Sequence, residues 1–153
     1  MQKALVFVLS LALAGCVSSV PEGRQLMVRP AVDGEYDDPS VAGARSSFDT
    51  IQDAIDAAAS GDTVLVSSGT YLEDLWMKSG VHVDGAGQAE TSLVGLVTFD
   101  DVTSAKLSGM SVFDPDWYAL GVSELNDGIV VWDADAEIED VAAYYFHYGI
   151  YSL

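Results

Sequence analysis

The chain has 153 residues, with 24 acidic against 6 basic side chains, a formal net charge of −18 and 1 cysteine. That length holds one ordinary domain, and the charge excludes a nucleic-acid or anionic-membrane surface, because no basic patch is left to displace phosphate counterions. A lone cysteine excludes an internal disulfide framework and a cysteine-rich zinc site, while a composition that is half hydrophobic argues against wholesale disorder.

The first element is an address. Lys3 supplies a positive start, and residues 4–15 form an apolar run that is too short to span a bilayer but suits a secretory leader. The run ends in Leu13-Ala14-Gly15-Cys16, which resembles the bacterial lipobox. In that family the leader is removed before the cysteine, which then carries lipid, so the resemblance implies lipidation at Cys16 and a membrane partner held through acyl chains. Val17 stands where an aspartate would retain an enteric family member at the inner membrane, so the resemblance implies the outer membrane of a bacterial cell envelope. Residues 1–15 are thus expected to be a signal peptide and 16–45 a tether. Ser18, Ser19, Pro21, Gly23, Pro30, Gly34, Pro39 and Gly43 set the composition of that tether. The apolar stretch Leu26, Met27, Val28 within it is a candidate first strand.

The domain proper is expected over 46–153. The spacing of Ile51, Ala54, Ile55 and Ala58 predicts an amphipathic helix over 47–60 with these four on its buried face. Asp49 and Gln52 have capping-box spacing, and Gly61 offers a left-handed stop. After Gly61 the chain reads as short strands at 63–66, 75–77, 81–83, 93–99, 105–112, 128–132, 136–142 and 148–152.

These strands recur in pairs. Aligning Val83, Leu107 and Ile138 brings Val81, Ala105 and Ala136 into register, with a loop between Phe113 and Asp127 absorbing the longer spacing. A strand repeat in the low twenties without intervening helices predicts an all-β parallel solenoid of about three coils. A β-sandwich would instead need hairpin turns between successive strands. Asp84-Gly85 and Asp127-Gly128 are the only candidates, and the first recurs in register with Ser108-Gly109.

The run Phe48-Asp49-Thr50-Ile51-Gln52-Asp53-Ala54-Ile55 leads into Gly61-Asp62-Thr63-Val64-Leu65-Val66. Gly69-Thr70-Tyr71-Leu72-Glu73 and Ser79-Gly80-Val81-His82-Val83-Asp84-Gly85-Ala86-Gly87 follow. Together they resemble the amino-terminal part of the pectin-lyase-like right-handed parallel β-helix superfamily, especially its pectinesterase-like branch. The resemblance covers 48–95 well and implies a single-stranded right-handed β-helix capped by the helix. It does not imply one activity, because the superfamily contains lyases, hydrolases, esterases, adhesins and non-catalytic members. Glu73 lies in a stretch that links the first coils and is read as structural. The last residues, 148–153, look like the first strand of a further coil with no cap over it, so missing coils or a partner are expected at that end.

In a parallel β-helix the outward residues of one strand series line a groove. Here these are His82, Lys106 and Glu137 in one row, and Asp84, Ser108 and Glu139 in the other. Asp84 with Glu139 is a candidate acid/base pair, and Lys106 between them a candidate stabiliser of an anionic substrate. Ordinary strand alternation produces the same polar rows as a solvated face, and that alternative stands. Trp117 and Tyr118 in the loop are candidate sugar-stacking residues, with Glu137 and His82 as further ligand contacts. The aromatic cluster at 144–148 is expected to pack at a corner. Asp114 and Asp116, with Asp133 and Asp135, present oxygen ligands at alternating positions that suit Ca²⁺, an ion several lyases of the resembling superfamily use.

The expected function is an envelope-anchored β-helix lipoprotein that binds carbohydrate. Two alternatives stay open. One is the amino-terminal part of a polysaccharide lyase, esterase or hydrolase, and the other is a non-catalytic adhesin or spacer.

Overall fold

The computed structural model describes residues 23–30, 47–115 and 126–153. Cys16 and the leader lie outside the described residues, as do most of the tether and Asp116, Trp117 and Tyr118 of the loop. Among the described residues no helix is long and apolar enough to cross a membrane.

The fold is mostly β. Its elements are β1 (Gln25–Val28), β2 (Ser47–Phe48), α1 (Ile51–Ala57), β3 (Thr63–Val66), β4 (Gly69–Leu72), β5 (Leu75–Trp76) and β6 (His82–Gly85). They continue with β7 (Thr91–Val94), β8 (Val97–Asp100), β9 (Ala105–Phe113), β10 (Asp127–Trp132), β11 (Ala136–Tyr144) and β12 (Tyr148–Ser152). Every strand pairing is parallel. β1, β3, β6 and the first halves of β9 and β11 pair in succession. β4, β7 and the second halves of β9 and β11 do likewise, and β5, β8, β10 and β12 form a separate sheet.

Period-2 alternation fixes which residues meet. Val64, Val83, Leu107 and Ile138 share one inward row, Tyr71, Leu93, Val112 and Ala143 a second, and Leu75, Val97, Ile129 and Ile150 a third. The three rows converge on one apolar core in which Val64, Val83, Leu107, Leu93, Leu75, Val97 and Ile129 are fully buried. Each such side chain contributes roughly 1.5–3 kcal/mol relative to exposure. The alignment of Val83, Leu107 and Ile138 read from the sequence is the observed register. The continuous strand expected over 93–99 is instead two strands, β7 and β8, in different sheets, because the chain bends at Gly95-Leu96. There the Gly95 N–H donates to Phe113 O and the Leu96 N–H to Asp74 Oδ1.

The helix is shorter than the 47–60 expected, and its caps differ. Ile51, Ala54, Ile55 and the C-cap Ala58 are buried, as their spacing requires. The N-cap is Thr50, whose hydroxyl accepts from the Asp53 N–H at 3.1 Å, not Asp49. The two N–H groups ahead of it, of Ile51 and Gln52, donate at 2.9 Å each to the two oxygens of Glu73. At the other end Lys78 Nζ donates to the carbonyls of Asp56 (3.0 Å) and Ala58 (2.7 Å). Both helix ends therefore take their missing partners from the strand region around β5, and each charge opposes the adjacent pole of the helix dipole. Gln52 completes the junction, its side-chain amide accepting from the Trp76 N–H at 2.9 Å on the open edge of β5.

Two buried polar groups tie this end together. Asp62 is only 4% exposed and accepts from the Arg24 guanidinium and from the N–H groups of Arg24 and Ala59. The Arg24 hydrogen bond is the main reason its carboxyl is held down at about 2. Tyr71 donates its hydroxyl to Ser67 O at 2.9 Å, and burial, with the Glu73 charge adding, pushes it up to about 12.

Several acids have a backbone reason for their positions. Asp101 and Asp133 at bends, and Asp140 at a kink within β11, have left-handed φ of 49°, 44° and 50°, a region that aspartate tolerates better than most non-glycine residues. At the last strands the inward rows lose cover. Ile138 is half-buried and Ile150 is 54% exposed, since no described strand lies beyond β11 and β12.

Candidate ligand-binding groove

The outward side of the series β1-β3-β6-β9-β11 carries two parallel rows, because residues that alternate with the buried ones must face solvent. One row is Gln25, Thr63, His82, Lys106, Glu137, and the other Met27, Leu65, Asp84, Ser108, Glu139. The structure brings together all six residues placed in these rows by sequence alignment. Adjacent strands lie about 4.8 Å apart, so Asp84 and Glu139, two strands apart, are separated by about 10 Å along the row.

Between the rows lies an open groove of about 540 Å³ lined by Thr63, His82, Asp84, Lys106, Ser108 and Glu139, with Gly85, Gly87, Gly109 and Asp140 along its side. A smaller depression of about 190 Å³ continues past Asp84 and Gly85 onto Met27, Leu65 and Val66, so the surface changes from acidic to apolar toward β1. The glycines set the depth. A Cβ on Gly85 would stand 2.2 Å from Gly109 O, and Gly109 itself has φ of 66°. Only glycine allows these two backbones so close.

Lys106 is the electrostatic centre. Its ammonium donates to Glu139 Oε2 at 2.6 Å and to Glu137 Oε1 at 2.9 Å. The Glu139 hydrogen bond first, and the Glu137 hydrogen bond next, raise the lysine above its ordinary range, and the same contact lowers the Glu139 carboxyl. Lys106 is thus a fixed cation already neutralised by two carboxylates, unsuited to act as a base. Asp84 Oδ1 accepts from Ser108 Oγ at 2.8 Å, and its Oδ2 accepts from no described residue. Asp140 Oδ1 takes the Gln88 side-chain amide at 2.8 Å. The groove therefore offers carboxylate oxygens, hydroxyls and the His82 imidazole to a ligand, and two of the three donors of its single ammonium are taken.

The remaining candidates do not join this site. Asp114 is fully buried, and its Oδ2 accepts from the Asn126 N–H at 2.9 Å and the Asn126 amide at 3.3 Å. That contact sits at the start of β10, whereas Asp133 and Asp135 follow its end, a strand length of roughly 20 Å away. The two aspartate pairs expected to present ligands to Ca²⁺ are separated by that strand, and Asp116 is outside the described residues. Among the described residues no group of three or more His, Cys, Asp or Glu side chains could hold a metal ion.

The aromatic cluster expected to pack at a corner does so only through Phe146, which lies against the core. Tyr144, Tyr145 and Tyr148 are 43–50% exposed, and Tyr144 stacks on Phe113 with centroids 5.0 Å apart. Sequence reasoning missed Thr63 and Asp140 as lining residues. Thr63 was legible as the next member of the His82 row, while Asp140 lies at a left-handed kink of β11 that interrupts the alternation. Comparison with known proteins gives no matching family model, no matching curated protein and no matching solved structure.

Proposed function

We propose that the chain is a lipoprotein anchored through Cys16 to the outer membrane of a bacterial envelope. In this reading its strands wind as a right-handed parallel β-helix of the pectin-lyase-like type, and the groove between the two outward rows binds carbohydrate. The observation that carries the reading is the register that places His82, Lys106 and Glu137 beside Asp84, Ser108 and Glu139 along one open groove. A flexible, polyhydroxylated chain lying along such rows meets an acceptor or hydroxyl at every strand crossing, which suits an extended glycan better than a compact molecule.

Binding is favoured over catalysis by the state of the polar groups. An enzyme built on Asp84, Lys106 and Glu139 would need one carboxyl kept protonated and a cation free to meet developing charge. Here Lys106 is bound by both glutamates, and Glu139 is held in its ionised form.

Titration calorimetry of the purified full-length chain against a panel of neutral, cationic and anionic oligosaccharides tests the proposal. Saturable heat with at least one class is expected, weakened about tenfold by Asp84→Ala and unaffected by Asp53→Asn on the exposed side of α1. No heat with any class would overturn the carbohydrate reading. Lipidation is tested separately by labelled palmitate, whose incorporation Cys16→Ala should abolish.

A further inference from the structure

We infer that the groove selects a cationic saccharide, a chain of amino sugars with protonated amines, over neutral and anionic ones. This deepens the carbohydrate reading and rests on it. Three observations carry it.

The first is the balance of charge at the groove itself. Asp84, Glu139 and Asp140 line it and Glu137 stands beside it, against one lysine and the imidazole of His82. Lys106 spends two of its three N–H donors on the glutamates, whose two charges outweigh its own, so an incoming carboxylate is repelled by both as it approaches the ammonium. An anionic glycan therefore meets net negative charge. An incoming ammonium needs no rearrangement.

The second is the hydrogen-bonding capacity left over. Asp84 uses Oδ1 for Ser108 and keeps Oδ2 without a described partner, and Asp140 uses Oδ1 for Gln88. The open oxygens at these positions are acceptors only, and an ammonium brings donors only. Charge-assisted pairs of this kind are about twice as strong as neutral ones. An N-acetylated sugar offers one amide N–H and must also accommodate an acetyl group where the acceptors lie.

The third is spacing and access. Asp84 lies on β6, Ser108 on β9 and Glu139 on β11, so acceptors recur along the groove at multiples of about 4.8 Å. That rise is comparable to the length of one pyranose ring, so in an extended chain whose rings alternate in direction the amines of every second ring face the groove about 10 Å apart, the separation of Asp84 and Glu139. The Gly85-Gly109 contact keeps backbone rather than side chains along this stretch, which lets a flat ring approach.

The test uses the full-length chain and three defined probes of equal length: a glucosamine hexamer, its fully N-acetylated counterpart and a galacturonate hexamer. The glucosamine hexamer is expected to bind at least tenfold more tightly than the N-acetylated one, with no saturable binding of galacturonate. Asp84→Asn and Asp140→Asn should each cost about tenfold, the loss of one charge-assisted pair. Asparagine also tolerates the left-handed φ at 140, so folding is preserved. Affinity should fall as the pH rises through the sugar amine's own pKa.

Equal or tighter binding of the N-acetylated hexamer, lost in the groove variants, would overturn the charge selection while leaving the carbohydrate reading intact. An equal loss from Asp53→Asn would overturn it too, by reducing the preference to attraction by the chain's net charge. Absence of binding by all three probes would overturn both.

Discussion

Replacing Glu73 by alanine should partly detach the helix that covers the first end of the core. Its carboxylate accepts two backbone N–H groups of α1 at 2.9 Å each, from Ile51 and Gln52. A hydrogen bond to a charged group contributes about 1.5–3 kcal/mol, and Glu73 is half-buried, so the lower figure applies to each. The Glu73→Ala loss is then about 3 kcal/mol, or a fall of roughly 10 °C in Tm for a domain of this size. Glu73→Gln keeps one acceptor and loses the charge, and should cost about half as much. The helix has seven residues, too few to persist without these contacts, and its own Ile51 and Ile55 are fully buried against the core. Urea unfolding followed by far-ultraviolet circular dichroism and tryptophan emission measures the loss, with the slope of the transition expected to stay constant. An unchanged midpoint for Glu73→Ala would refute the claim that this remote carboxylate holds the helix.

Other consequences are equally direct. Gly109→Ala places a Cβ 2.5 Å from Gly85 O at a φ of 66°. Left-handed strain and overlap together should cost about 2–4 kcal/mol in the same assay, and a loss below that of an ordinary surface change would remove the close-contact argument. Asp62 has its carboxyl held at about 2, below the ordinary aspartate range. Its stabilising contribution is therefore complete above the unfolded pKa and disappears as pH falls toward the folded one. Thermal melts between neutral and strongly acidic pH should show a shallower acid limb for Asp62→Asn than for the parent, and parallel limbs would contradict this. Calcium titration should give no saturable heat from the aspartate pairs, because Asp114 is buried on Asn126 and Asp133 lies beyond the far end of β10. A saturable heat abolished by Asp133→Asn would overturn that geometry.

Much of the groove was legible before the structure because a strand has a side-chain period of two. Once Val83, Leu107 and Ile138 are aligned on the inside, His82, Lys106, Glu137, Asp84, Ser108 and Glu139 have no choice but to face outward in two rows. The helix face was legible for the same kind of reason, since Ile51, Ala54, Ile55 and Ala58 can only lie together at 3.6 residues per turn. Local pattern failed where the chain turns without a strong break. The β4 strand of Gly69, Thr70, Tyr71 and Leu72 went unseen, and 93–99 looked continuous, because a bend at Gly95-Leu96 leaves the hydrophobic run almost uninterrupted.

Sequence by itself thus determined one inward row, that of Val83, Leu107 and Ile138, and the six outward residues that flank it, all of which follow from periodicity along the chain. Tertiary structure alone decided the partners. Glu73 reaches the helix from 22 residues away, Lys106 meets Glu137 and Glu139 across 31 and 33 residues, and Asp62 meets Arg24 across 38. Charge pairing depends on which side chains approach within a few ångströms, and a long-range approach leaves no trace in local spacing. That is why a lysine read as a stabiliser for substrate turns out to be held by its neighbours, and why of the acids read as metal ligands Asp133 has a left-handed backbone and Asp114 is buried on an asparagine.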